Sequence, residues 1–158
     1  MKLLNVIAVI AYGLLLSACG APADDTRTVP AAQPADENST ELPDHVVHYN
    51  AQSTDQLTAE IARAYGIQRS KNRAMLNVSI IEKASNRPVT ADIDLKVINL
   101  TGQLKNVSLR AVEDSDAIYY IGELPVANAE TLIFELTITP AGSATSSTVR
   151  FKRQFFSN

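Results

Sequence analysis

One thiol and a short row of cations carry most of the chemistry open to this chain. Cys19 is the only cysteine among 158 residues, and it ends Leu16-Ser17-Ala18-Cys19, which closes an apolar run begun behind Lys2. That order has the form of a bacterial lipobox, where a diacylglycerol is joined to the cysteine sulfur and the preceding peptide is cut away. Lys2 supplies the positive n-region, only Asn5 strongly interrupts Leu3 to Leu16, and Ser17 and Ala18 are the small residues before the cut. About 14 apolar residues are too few for a spanning helix, which takes about 20. Residues 1–18 are therefore expected to be a cleaved leader, with Cys19 as the lipidated mature N-terminus. Two or three acyl chains make a stable membrane anchor where one binds only marginally. Gly20, and not an aspartate, follows the cysteine. Where an aspartate there retains lipoproteins at the inner membrane, glycine sends them to the outer membrane, facing the periplasm. Lipidation would consume the one thiol, so the exported domain is expected to hold together without a disulfide.

Arg69, Lys71 and Arg73 recur at every second position, with Asn72 among them and Gly66 upstream. On an extended backbone the three cations would share a face and could hold a phosphate, a carboxylate or a partner's acidic loop, arginine doing so in bidentate fashion. The same pattern also serves as a solvated edge that discourages sheet-to-sheet aggregation. His45 and His48, the only histidines, stand three apart. On a strand they point to opposite faces, which disfavours a shared metal, and no metal or cofactor is expected. Tyr119 and Tyr120 likewise face opposite ways; with Tyr49, Tyr65 and Phe156 they could stack on a glycan or peptide, but core packing is the plainer use of so few aromatics.

Nothing here spells out catalysis. The sequence holds no Gly-x-Ser-x-Gly, His-Glu-x-x-His, phosphate-binding glycine loop or dinucleotide fingerprint. Asp92 and Asp94 read as two solvent-side strand carboxylates, and Glu113-Asp114-Ser115-Asp116 as a turn rather than a calcium loop. The expected role is an interaction or scaffold module with an envelope protein partner, and no enzyme; a periplasmic small-ligand or metal binder is the alternative.

The elements that position these residues follow from composition and period. Residues 19–43 form a tether rich in Pro, Ala, Thr and acidic side chains, which cannot bury enough surface to offset its ordering entropy. From His45 onward there are twelve basic and eleven acidic residues, so the domain has no broad field to attract nucleic acid, and none is expected as a partner. Residues 44–158 turn to period-two alternation. Leu132, Phe134, Leu136 and Ile138 alternate with polar or solvent-side positions up to Pro140, and Val89 to Val97 do the same. Further stretches at 45–51, 76–80, 107–111, 117–124 and 149–155 bring the count to about seven strands. Turn-rich segments punctuate them, as at Thr101-Gly102-Gln103 and Ala141-Gly142-Ser143. The expected fold is all-β, an immunoglobulin-like antiparallel β-sandwich with one short helix, and a small closed barrel is the alternative. Thr58 would cap that helix and Gly66 end it, with Leu57 and Ile67 pinning its ends to the sheets.

Several stretches resemble a bacterial family of exported domains, domain of unknown function 4426. They are His48-Tyr49-Asn50-Ala51, Ala62 through Arg73, Asn77-Val78-Ser79, Ala117-Ile118-Tyr119-Tyr120, and the closing Phe151 to Phe156. The likeness spans roughly residues 44 to 156, and Tyr65-Gly66-Ile67-Gln68-Arg69-Ser70-Lys71-Asn72 is its most specific part. It implies an all-β domain in the cell envelope and supplies no reaction.

Overall fold

Alternating side chains make two antiparallel sheets that close over a shared apolar layer. The computed structural model describes residues 38–157; the leader, Cys19 and the tether up to residue 37 lie outside the described residues. In chain order the strands are β1 (Ser39–Glu41), β2 (His45–Ser53), β3 (Arg73–Glu82), β4 (Arg87–Pro88), β5 (Ala91–Asn99), β6 (Leu104–Lys105), β7 (Arg110–Asp114), β8 (Ala117–Pro125), β9 (Glu130–Pro140) and β10 (Ser147–Phe155). One sheet runs β1-β2-β3-β8-β7, with β4 paired to the end of β3; the other runs β10-β9-β5-β6. With the two- and three-residue strands set aside, β2-β3-β8-β7 faces β10-β9-β5. This is the strand order of an immunoglobulin constant-type sandwich. The all-β expectation holds, and every pairing is antiparallel.

The inner faces are the alternating residues read from the sequence. Leu132, Phe134, Leu136 and Ile138 of β9 are fully buried, as are Val47 of β2 and Leu76, Val78 and Ile80 of β3. An aromatic column links the sheets: Tyr49 stacks on Phe151 at 4.4 Å between ring centroids, Phe151 on Phe134 at 4.9 Å, and Phe155 meets Phe134 edge-on at 6.5 Å. Tyr120 reaches the same core and its hydroxyl oxygen accepts from the Ala91 N–H at 2.7 Å.

Two boundaries differ from the sequence reading. The stretch 19–43 assigned to the tether contains β1, which pairs Ser39, Thr40 and Glu41 with His48, Val47 and Val46. Backbone pairing, the Thr40–Tyr49 hydroxyl contact at 3.3 Å and Leu42 packing on the core hold it there. A three-residue edge strand needs no apolar alternation, so composition does not reveal it. The strand expected at 107–111 pairs only from Arg110. Val107 and Leu109 still point at the core, but from a crossing segment outside the ladder.

That segment passes directly over Gly122 of β8. A Cβ built at Gly122 would lie 2.8 Å from Val107 Cγ1 and 3.0 Å from Leu109 Cδ2. Val107 is β-branched and cannot swing clear. Gly122→Ala is expected to lower unfolding free energy by about 1–3 kcal/mol, measured by denaturant titration; an unchanged midpoint would show that the crossing segment is free to lift.

Candidate functional site

Both sheets share a lower end, where β2, β5, β8 and β10 finish and β3 and β9 begin. The loop from Ser53 to Arg73 crosses it. Thr54, with no exposed surface, starts a 3-10 turn at Thr54–Gln56. Its hydroxyl faces the Gln68 carbonyl at 2.9 Å and the Ser70 carbonyl at 3.1 Å, and accepts from the Ser70 N–H at 2.9 Å. One side chain thus ties the start of the loop to its return. Between these points runs α1 (Ala59–Ala64), capped as expected: the Ile61 N–H donates to Thr58 Oγ1 at 3.2 Å, and Gly66 takes φ +65°. Leu57, Ala62 and Ile67 bury against Met75 and Ile121 on the outer face of the first sheet. Helix and sheet therefore make a second, smaller apolar layer, on the side away from the main core.

The basic segment hangs from this scaffold. Arg69 is exposed and donates from Nη2 to the Asp55 carbonyl at 2.8 Å. Lys71 and Asn72 form an exposed turn; the Asn72 N–H donates to Ser70 Oγ at 3.1 Å, and its carbonyl accepts from the Val126 N–H at 2.9 Å. Arg73, half-buried, lies 3.3 Å from Glu123 Oε2. The extended backbone that would align the three cations is absent, because the turn at 71–72 breaks the alternation. Arg69 turns toward the 3-10 turn and Arg73 toward β8. What the fold brings together at the lower end is the whole segment, not a single face of it.

Beyond Val126 the site continues into residues the sequence reading did not single out. Lys105 Nζ lies 2.7 Å from Glu130 Oε1 and 3.4 Å from the Pro125 carbonyl, while Glu130 Oε2 accepts from the Ala127 N–H at 2.8 Å. Burial raises the Glu130 pKa, but the Lys105 hydrogen bond, the Ala127 N–H, the Lys105 charge and Asn99 outweigh it, and the net shift is downward. Next to Lys105, Leu104 is 66% exposed, and Leu100 across the Thr101-Gly102 turn is 68% exposed. An apolar residue in a sequence reads as core, so only its position in the fold could have marked these two.

The remaining candidates are dispersed. His45 sits at the opposite, upper end and His48 is exposed on the outer face of β2, so they do not converge. Among the described residues there is no group of three or more His, Cys, Asp or Glu placed to hold a metal. Tyr49 and Tyr120 belong to the main core, whereas Tyr65 and Tyr119 pack on the outer apolar layer. Phe156 is exposed at the lower end, so these five rings form no common platform. The Tyr65 hydroxyl donates to Asp114 Oδ2 at 3.1 Å; burial, that hydrogen bond and the Asp114 charge raise its pKa. Asp92 and Asp94 stand exposed opposite Thr139 and Thr137, while Glu113 and Asp114 end β7 and Ser115 and Asp116 make the turn into β8. A concavity of about 760 Å³ at the upper end is lined by Asp44, His45, Glu82, Lys83 and Gly142 among others.

Two outcomes follow. Thr54→Ala is expected to cost about 1–3 kcal/mol, because the Ser70 N–H loses its acceptor and the Gln68 and Ser70 carbonyls lose the single hydroxyl proton they face; thermal or denaturant unfolding reads this directly. Glu130 has a folded pKa below its unfolded one, so its contribution to stability is present at neutral pH. It is lost as the pH falls through the ordinary carboxylate value toward the folded value. Glu130→Gln is expected to lower stability at neutral pH and to flatten the acid limb of the stability curve. Parallel curves for the two proteins would show that the shift is not expressed.

Residues 39–158 match the family model Domain of unknown function (DUF4426). The crystal structure of a DUF4426 family protein from Pseudomonas aeruginosa PAO1 shares 30% sequence identity with the chain and superposes with a TM-score of 0.67, covering 77% of this chain and 96% of that one. No curated protein matches. A match over some three-quarters of the chain, together with that structural likeness, means that the chain belongs to the DUF4426 family.

Proposed function

We propose that this protein is a lipid-anchored component of the bacterial cell envelope, whose β-sandwich works as an interaction module and not as an enzyme. The observation that carries the reading is Leu16-Ser17-Ala18-Cys19-Gly20 behind a short apolar run and ahead of a separately folded domain. Acyl chains on Cys19 hold the mature chain to the membrane, and Gly20 directs it to the periplasmic face of the outer membrane. Arg69, Lys71, Asn72 and Arg73 are the contact surface, offering cations on a loop braced by Thr54. They suit an anionic group, with the arginines able to bind it in bidentate fashion. The upper concavity beside Asp44, His45 and Glu82 favours a second reading, a small polar ligand bound in the periplasm.

Intact-mass analysis of the protein extracted from membranes is expected to show a chain starting at Cys19 with a diacylglyceryl thioether and further acylation. Cys19→Ser is expected to retain the leader. An unmodified thiol, or wild-type protein recovered whole from the soluble fraction, would refute the anchor.

A further inference from the structure

Three of the four exposed large apolar side chains among the described residues share one end of the domain; the fourth, Ile61 on α1, is the least exposed at 43%. Leu100 and Leu104 at 68% and 66% exposure and Phe156 at 61% all lie at the lower end. The basic segment runs between them. On one side, Asn72 bonds Val126, and Pro125 beside it receives Lys105, the neighbour of Leu104. On the other, Arg69 holds the Asp55 carbonyl, and Gln56 next to it lines a shallow groove with Phe156. Behind Leu104, a cross-strand row of Ile98, Ile133 and Lys152 extends the same character onto the outer face of the second sheet. Acidic side chains outnumber basic ones at the other end, where Asp44, Glu82, Glu113 and Asp116 stand with Lys83 and Arg87.

We propose that the lower end docks on a phospholipid surface, with Leu100, Leu104 and Phe156 entering the headgroup layer and Arg69 and Lys71 meeting lipid phosphates. Apolar tips rimmed by cations suit a bilayer interface, where the apolar atoms leave water and the charges stay at the phosphate level. Two copies meeting through this end would set the same cations against each other, whereas lipid phosphate neutralises them. The acidic upper end is repelled by an anionic leaflet, which fixes the polarity of docking. The chain also enters the sandwich on this side: Asn38 Oδ1 accepts from Arg153 Nη2 at 2.9 Å, and Arg153 pairs with Leu132, itself opposite Asn99. This docking deepens the anchored reading and rests on it for access to a bilayer. The 18 residues between Cys19 and Asn38 reach at most roughly 60 Å when extended, so an acyl chain at Cys19 keeps the surface within range.

The test uses residues 19–158 with Cys19→Ser, so that no acyl chain contributes, and vesicles of phosphatidylethanolamine with phosphatidylglycerol. This protein is expected to co-float with the vesicles and to release as salt rises. Leu100→Glu with Leu104→Glu should cut the bound fraction more than tenfold while the melting temperature stays close to wild type. Arg69→Glu with Lys71→Glu should weaken binding and reduce its salt dependence. The chain has no tryptophan, so Leu104→Trp supplies a single reporter whose emission should shift to the blue on vesicles. Failure to float, floating unchanged by the leucine substitutions, or unshifted emission would each overturn the docking. So would sedimentation showing a dimer that the leucine substitutions dissolve, since the patch would then pair copies of the chain. Mass analysis of Cys19 reports on the anchor independently, so the two readings fail separately.

Discussion

Tyr49, Phe151 and Phe134 form one aromatic stack in the main core, in which Tyr49 of the first sheet packs on the cross-strand pair Phe151 and Phe134 of the second, and the placing of one sheet over the other follows from that contact. Each ring comes from a different strand, β2, β10 and β9, so the column joins one sheet to the opposite one without a covalent bond. Flat rings in contact leave little freedom for one sheet to slide over the other. With that placement set, the fully buried Leu, Ile and Val residues of β3 and β9 fill the space on either side, and the chain can cross over Gly122 only because no Cβ intrudes there.

The outer face of the first sheet is used differently. There α1 and its flanking loop cover Met75 and Ile121, so this sheet is packed on both sides along part of its length. The outer layer supports the loop bearing Arg69 to Arg73, and Thr54 bonds that loop to its own beginning. A six-residue helix would not persist alone. It lasts because its cap, its terminal glycine and two flanking apolar residues all agree with the packing. The position of the basic segment is therefore a tertiary property: the cations are placed by a hydroxyl and an apolar layer, not by the strand geometry their spacing suggests.

Much of this was legible in the residues themselves. The alternation from Leu132 to Ile138 specifies β9 and its buried face, and Thr58, Gly66, Leu57 and Ile67 specify where the helix starts, stops and attaches. What escaped has a common cause. β1 and β6 are held by backbone pairing, which has no side-chain signature. Val107 and Leu109 keep the inward pattern of a strand without belonging to a ladder. The Lys105–Glu130 pair and the bonds of Thr54 join residues distant in sequence, so neither partner reveals the other. Leu100 and Leu104 mislead in the opposite sense, since an apolar side chain beside a glycine turn gives no sign whether it faces the core or water.

The short first strand has a mechanical consequence. β1 lies antiparallel to β2 over three residues, with its first residue nearer the lower end. A pull exerted on Asn38 toward that end runs along the strand axis and strains the rungs together instead of peeling them one by one. Glu41, paired with Lys83 at 2.5 Å, and Asn38, gripped by Arg153, lie at the two ends of the same load line. Tension reaching the domain through the residues before Asn38 would thus meet shear resistance at β1, before any of it reached the aromatic column.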